Sequence, residues 1–552
     1  MKKHSLLHGI TIFIFTASCC IHSQTVSSIS ALQAAINLAS PGDVIELADG
    51  NYTDNAVLNI TTSGTSGNMI TIKAKNPGEA IFSGTFGVKI NASYIKFSGF
   101  DFNGGFVSAD NGNRLITINQ EGNIVEDIRM INITNGVAKH SYIYLYGGSK
   151  NTIIRRCWFE SSGTTNEGIK VFGWVPEDST GKFTTVEYCY FRSDEGTGNG
   201  VSAIRFGSGS AGWLTNINAS NTVRNNLFYK YDGESEVISL KSAYNIIEKN
   251  TFLNSVGTVN SRKYHNNTFR DNYFLNTDPT LAEAGVVGLW GEDHLVEHNY
   301  FYKPKSRSNE IGGAINLIAG TGNAINILHE QVNNVTIKNN IIYEASLTSG
   351  AKTNHAIVSG VKFDAVTRNF LPQNVTIEGN CIYNSNATRE QVHYISTTPT
   401  GFTYTDNKIW TVASVVPVAQ NVNPNLIAVV ENGYDVHTCG SKGPRNTTPL
   451  QPGNVGPLWL AGAILSSKKI EKIERIQISP NPFSSEISIS NLNSKFKKIE
   501  LTDMLGRFID LQSVEGLDEI NLSPTFKNKT SGIYILKLIG EKSTKSYKLI
   551  RK

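Results

Sequence analysis

The chain predicts an all-β architecture: a right-handed parallel β-helix with an N-terminal helical cap, followed by a small C-terminal antiparallel β-sandwich. Three observations predict it. A short phrase with one fixed polar position recurs eight times. Charged residues make up only 17% of the 552 positions while glycine numbers 49, and no helical pattern is long enough for a βαβ crossover. Such a composition disfavours helical bundles and coiled coils and favours short strands joined by turns. Length alone, at about 100–200 residues per domain, would suggest three or four units, but the repeat makes one long array the better account. The 39% hydrophobic content suffices for a sizeable core.

The first 23 residues carry Lys2, Lys3, an apolar run from Ile10 to Ala17 and a small residue, Ser23, which together read as an export signal. A lipid anchor on Cys19 competes, but Thr16 stands where a lipobox prefers leucine. No other stretch approaches about 18 consecutive apolar residues, so no transmembrane segment is expected. Residues 24–438 are assigned to the β-helix. Within them ALQAAINLA, Ala31 to Ala39, has the spacing of a short amphipathic helix and would cap the open end of the solenoid, where a terminal coil exposes core and strand edges.

The repeated phrase reads IIRRCWF, TVEYCYF, VRNNLFY, IIEKNTF, FRDNYFL, LVEHNYF, TIKNNII and TIEGNCI, with the fixed position at Cys157, Cys189, Asn226, Asn250, Asn272, Asn299, Asn340 and Asn380. The intervals are 32, 37, 24, 22, 27, 41 and 40 residues, a minimal coil of 22–24 with loops added. Each copy is one turn of a solenoid. Stacked asparagines would then form an internal amide ladder at the inter-strand spacing of about 4.8 Å, with Cys157 and Cys189 as stacked buried thiols. Cys157, Cys189, Cys381 and Cys439 are too dispersed for a zinc-ligand spacing and too few for a disulfide framework.

From Gly440 to Pro457 the sequence GSKGPRNTTPLQPGNVGP reads as a Pro/Gly-rich connector, and 439–474 is assigned to a linker. Residues 475–552 hold several alternating strand candidates. Their phrases SPNPF, LTDMLGR, SGIYILKL and KLIRK resemble the C-terminal sorting domain of type IX secreted proteins. That resemblance implies the type IX secretion machinery as a partner and a location outside, or on the outer surface of, a two-membrane bacterium. Net charge is +4, but the segment from Lys468 onward carries +6 and the signal +2, leaving about −4 for the remainder. A basic excess confined to the tail does not make a nucleic-acid binder.

The densest polar cluster runs from Tyr231 to Asn267. Counted from the ladder residue of its own coil, Asn199 lies at +10, Glu234 at +8, Glu236 at +10, Lys241 at +15 and Arg262 at +12. In register these would meet on one outer face. Glu234 and Glu236, two apart on a strand, point the same way and with Asn199 offer three oxygen ligands to a hard cation, calcium being the natural candidate. Glu236 and Lys241 are five apart, so Lys241 joins them only if a bulge intervenes, expected at Ser239. The bland alternative is a solvated salt-bridge ladder.

These residues resemble polysaccharide lyase family 6, which holds alginate lyases and dermatan sulfate lyases of the chondroitinase B type. The likeness is carried by ESEVISLKS, NTFLNSVGTVNSR, LQAAINLASPGDVIELADGNYT and GVVGLWGEDHLVEHNYF. It implies Lys241 as the Brønsted base, Arg262 as the proposed acid, and Glu234, Glu236 and Asn199 as calcium ligands. Arg205, His265 and Trp290 are the candidate substrate contacts. Two departures stand out: Lys263 follows the arginine where the family usually has histidine, and Ser202 replaces an acidic residue near Asn199.

The residue types suit β-elimination from a 4-linked uronate. The proton at C5 leaves only if the adjacent carboxylate is neutralised, which calcium would do as a Lewis acid. An amine beside a guanidinium and a divalent cation gives up its own proton more readily and can act as the base. Guanidinium stays protonated, so Arg262 suits stabilising the leaving O4 rather than donating a proton. A pectin hydrolase on the same fold would need a separated pair of catalytic carboxylates, and a noncatalytic carbohydrate-binding solenoid would give no unsaturated product. Alginate is the expected anionic polysaccharide, because the catalytic segment is not basic; dermatan sulfate is the second candidate.

Overall fold

The structure, a computed structural model, describes residues 23–133, 140–161, 166–171, 182–193, 202–207, 218–232, 236–281, 284–306, 312–322, 329–345, 354–385, 390–396, 399–411, 422–460, 477–490, 492, 496–517, 519–540 and 544–552. The export signal proposed for residues 1–23 lies outside them but for Ser23. Among the described residues no helix is long and apolar enough to cross a membrane.

The chain winds through three parallel sheets of 14, 13 and 13 strands, visiting one strand of each sheet per coil. Each corner between the first and second strand of a coil is made by a residue in the left-handed region just before the fixed repeat position. Asp127, Arg156, Tyr188, Asn225, Lys249, Asp271, His298, Asn339 and Asp406 all have φ between 51° and 56°. The corner leaves backbone N–H groups facing inward, and the ladder satisfies them. Asn250 Oδ1 accepts both the backbone N–H and the side-chain amide of Asn226 at 3.0 Å, and the pattern repeats through Asn272, Asn299, Asn340 and Asn380 to Asn407. Cys157 and Cys189 fill the same column as buried free thiols, and burial pushes the Cys157 thiol up. Two positions along, Phe159, Phe191, Phe228, Phe252, Phe274 and Phe301 stack at 4.7–5.0 Å through the core.

A second column, five residues upstream of the first, runs through Asn221, Asn245 and Asn267 and ends on His294, whose Nδ1 accepts the Asn267 N–H at 3.1 Å. The solvated salt-bridge ladder also exists, but on the first sheet. Glu126, Arg155, Glu187, Arg224, Glu248, Arg270, Glu297 and Lys338 alternate in sign along one register line.

The cap helix spans Ile29–Leu38, with the Ser28 hydroxyl accepting the Ala31 N–H at its start. Its Ile29, Leu32, Ala35 and Ile36 join the solenoid core. Burying a leucine or isoleucine fully is worth about 1.5–3 kcal/mol, so this face holds the cap down. At the other end the expected connector is corrected. Residues 439–460 are no free linker but run back along the second sheet. Cys439 is disulfide-bonded to Cys381, Arg445 pairs with Asp271 at 3.1 Å, Leu450 N–H donates to Thr251, Gly456 N–H to Tyr188 O and Trp459 Nε1 to Asp127 O. The strap covers the aromatic outer row of Tyr190, Tyr273 and Tyr300, which would otherwise face water.

The chain divides into two compact units at 464/465. The second contains an antiparallel three-stranded sheet and an antiparallel four-stranded sheet, enclosing a core that includes Phe483, Ile489, Leu501, Leu536 and Leu549.

Candidate active site

The strand Glu236–Lys241 is buried along its whole length. Its register against the next strand, Thr258–Lys263, runs Glu236 to Thr258 and then Ile238 to Val259, so Val237 is an extra residue. Val237, Ile238 and Leu240 all belong to the core. Two consecutive inward residues reverse the alternation, and Glu236, Ser239 and Lys241 therefore share the outer face. The bulge expected at Ser239 sits at Val237 instead, because two successive β-branched side chains both fill core space. A second irregularity follows: Leu240 opposes Ser261 but Lys241 opposes Lys263. Arg262 is the residue left over, and its side chain is 25% exposed between two buried neighbours.

Arg262 Nη1 lies 3.2 Å from Glu236 Oε1, and Asn260 Nδ2 donates to the same oxygen at 3.1 Å. Burial alone would raise the Glu236 carboxyl. The charge of Arg262, then Ser239, the charge of Lys241 and the Asn260 amide hold it below the usual carboxylate range. At an effective dielectric near 20, unit charges about 4 Å apart interact by about 4 kcal/mol, enough to keep a carboxylate ionised in a dry wall.

One register line crosses the outer face through Arg205, Ser239, Asn260, Gly288 and Asn316. Gly288 leaves room for the Asn260 amide, since a Cβ would stand 2.1 Å from Asn260 Oδ1 and force it to shift. The glycine lies in a groove lined among others by Glu236, Asn260, Arg262, Trp290, Lys362 and Arg368. Gly207, with φ +95°, allows the close approach of the Lys241 backbone, whose carbonyl oxygen would lie 2.2 Å from a Cβ at that position.

Of the residues singled out from sequence, the structure brings Glu236, Lys241 and Arg262 together. Asn199 and Glu234 lie outside the described residues. Arg205 is half-buried on the strand one coil earlier, opposite Ser239. Trp290 lines the groove but is 4% exposed, its indole N–H donating to Ala319 O. His265 sits on the turn after Arg262, edge-on to Tyr244 with ring centroids 5.4 Å apart, and is not among the described groove-lining residues.

The donors on described residues suit a hard cation. They are the Glu236 carboxylate and Asn260 Oδ1, a buried oxygen with no hydrogen-bond partner among the described residues.

Sequence reasoning missed three features. Asn260 and Gly288 give no signal beyond their register. His329 packs beside Trp290 at 5.0 Å, and burial, followed by the charges of Arg368, Arg262 and Lys362, lowers it to about 4. Behind Arg262, Lys263 is fully buried with its ammonium 4.7 Å from the Tyr264 ring centroid. It faces the charge of Glu330, whose carboxylate accepts the Tyr264 N–H at 2.9 Å and is pushed up to about 7 by burial.

Residues 26–442 match the family described as chondroitinase B, and residues 477–552 match a secretion system C-terminal sorting domain, which marks the protein for the cell exterior or surface. None of the curated proteins matches the chain. Among solved structures, the PL6 family alginate lyase AlyGC superposes with a TM-score of 0.66 at 20% identity, over 84% of this chain and 60% of that one. The PL6 family polysaccharide lyase Pedsa3628 from Pseudopedobacter saltans gives 0.61 at 21% identity, over 79% and 99%. A mannuronic acid specific polysaccharide family 6 lyase from human gut microbiota gives 0.56 at 21%, over 72% and 89%. The chain thus spans about 60% of the length of AlyGC. At these identities the likeness is one of fold, the parallel β-helix described above.

Proposed function

The chain belongs to the chondroitinase B family, and from that premise we propose that it is a secreted polysaccharide lyase that cleaves alginate by calcium-assisted β-elimination. The observation that supports this most is the Val237 bulge, through which Glu236 and Lys241 share one face with Arg262 alongside. Lys241 takes the C5 proton of the uronate. Arg262, always protonated, stabilises the charge developing on the leaving O4, and a solvent proton completes the departure. Glu236, with Glu234 and Asn199, would hold the cation, and Asn260 Oδ1 is a further oxygen beside it. Bound calcium would neutralise the uronate carboxylate and so acidify C5. Lys362 and Arg368, at the far side of the groove, supply positive charge for neighbouring uronates of an anionic chain.

Those same two cations favour a second reading, a dermatan sulfate lyase, because a sulfated chain demands more basic contacts than alginate does. One experiment covers both. Purified protein is incubated with polymannuronate, polyguluronate and dermatan sulfate, with and without chelator, while ultraviolet absorbance follows unsaturated ends. Chelator-sensitive product from either alginate block supports the first reading, product from dermatan sulfate alone the second. Absence of unsaturated product from all three would overturn both.

A further inference from the structure

Three side chains outside the groove lining converge near the last coils of the solenoid. His355 lies on the strand Asn354–Val361, and His393 on the strand Val392–Tyr394 next to it. Their rings are nearly parallel, 8° apart with centroids separated by 4.3 Å. Glu390 meets both: its backbone carbonyl takes a hydrogen bond from His355 Nδ1, and its carboxylate lies 2.5 Å from His393 Nδ1. One ligand atom from each of the three falls within 4.8 Å of the other two. His355 is buried, whereas the His393 and Glu390 side chains are 22% and 34% exposed, so the cluster is open to solvent on one side.

We propose that His355, Glu390 and His393 form a transition-metal site of the zinc type, separate from the proposed calcium site. Chemistry and tautomer both argue for it. Two imidazoles and one carboxylate are a nitrogen-rich set that suits zinc and its neighbours rather than calcium, which takes oxygen ligands. A carbonyl oxygen only accepts, so His355 Nδ1 carries a proton, and in the neutral ring Nε2 then holds the lone pair. That is the arrangement in which metal-ligating histidines are held, with the other ring nitrogen donating to a carbonyl. The Glu390 carboxylate supplies the anionic ligand, and the exposed side leaves a coordination position for water. The site would tie the strand of His355 to that of His393, stapling the final coils of an array whose ends are its weakest part.

Cobalt(II) is the probe, since it takes zinc sites and its visible bands report nitrogen ligation. Dialysed full-length protein is titrated with cobalt and then with zinc, and wild type is compared with His393→Ala and Glu390→Gln. Both replacements are at half-exposed positions, and melting curves of the metal-free proteins verify that each variant is folded. The expected result is one cobalt per wild-type chain, displaced by zinc and unaffected by excess calcium, with affinity lowered about tenfold or more in each variant. X-ray absorption of the wild-type complex should report two imidazoles. No stoichiometric uptake by wild type, uptake unchanged in both variants, or an all-oxygen shell would overturn the proposal.

Discussion

Arg262 Nη1 is 3.2 Å from Glu236 Oε1, so the guanidinium occupies the carboxylate that a bound cation would share. The two then compete. Replacing Arg262 with alanine should tighten calcium binding, by about the tenfold that 1.4 kcal/mol represents, while lowering turnover by about 10²–10³, the usual cost of removing one transition-state donor. Calorimetry with calcium and steady-state turnover measure the two halves. Unchanged calcium affinity would show that Glu236 is not a ligand.

Lys241 shares the outer face of its strand with Glu236 because of the Val237 bulge. Lys241→Ala should lower turnover by about 10³, within the range for loss of a general base, with little change in thermal stability. Lys241→Arg, which keeps the charge but cannot give up a proton, should be equally inactive. A Lys241→Arg enzyme with near wild-type turnover would assign the residue to substrate binding alone.

The repeat was legible in the sequence, and so was the need for a bulge between Glu236 and Lys241, but not its place. The phrase fixed by Asn226 and its successors gave the coil length, the ladder column and the stacked thiols, because a corner with inward N–H groups needs the same residue each time. The second column, at Asn221, Asn245 and Asn267, lies just ahead of those phrases and was not read from them. In EVISLK, spacing alone did not distinguish a bulge at Ser239 from the one at Val237, which depends on Val237 and Ile238 both turning into the core. The strap from Cys439 to Trp459 was not legible, since its partners Cys381, Asp271 and Asp127 lie 58 to more than 300 residues away and its composition resembles a linker. The Lys263–Glu330 juxtaposition and the floor made by Asn260 and Gly288 depend likewise on register across coils.

Gly288 gives a test of that floor. A Cβ there would press on Asn260 Oδ1 at 2.1 Å, and the amide next donates to Glu236. Gly288→Ala should lower turnover about tenfold or more, in keeping with the sensitivity of catalysis to small misplacements, while the core-facing neighbours Val287 and Leu289 keep the coil folded. Unaltered turnover would mean that Asn260 has no positioning part.

The ladder makes a stability prediction. Asn272 Oδ1 accepts two bonds from Asn250, and its amide donates to Ile247 O and Asn299 Oδ1. Asn272→Ala strands buried donors and an acceptor at about 1–3 kcal/mol each. A destabilisation of about 3–5 kcal/mol is expected by urea unfolding, large for one substitution. Half-buried Asn254→Ala, whose side chain bonds exposed Thr277 rather than a core neighbour, serves as the comparison and should cost well under half as much.

Glu330 couples stability to pH. Its carboxyl is pushed up to about 7 by burial, so between its ordinary value of 4.5 and about 7 the native chain holds a proton that the unfolded chain has released. Its contribution is fully present below about 4.5 and declines as pH rises through 7. His294 and His329, both lowered to about 4 by burial, act in the opposite sense, adding stability as pH rises from about 4 to 6.5. The two slopes mask each other in the wild type, and only a difference between proteins separates them. Glu330→Gln should gain stability relative to wild type as pH rises from about 4.5, by up to about 3 kcal/mol at pH 8. Urea midpoints of both proteins across that range measure it, and a difference that stays flat with pH would mean that Glu330 is ionised in the fold, paired with Lys263.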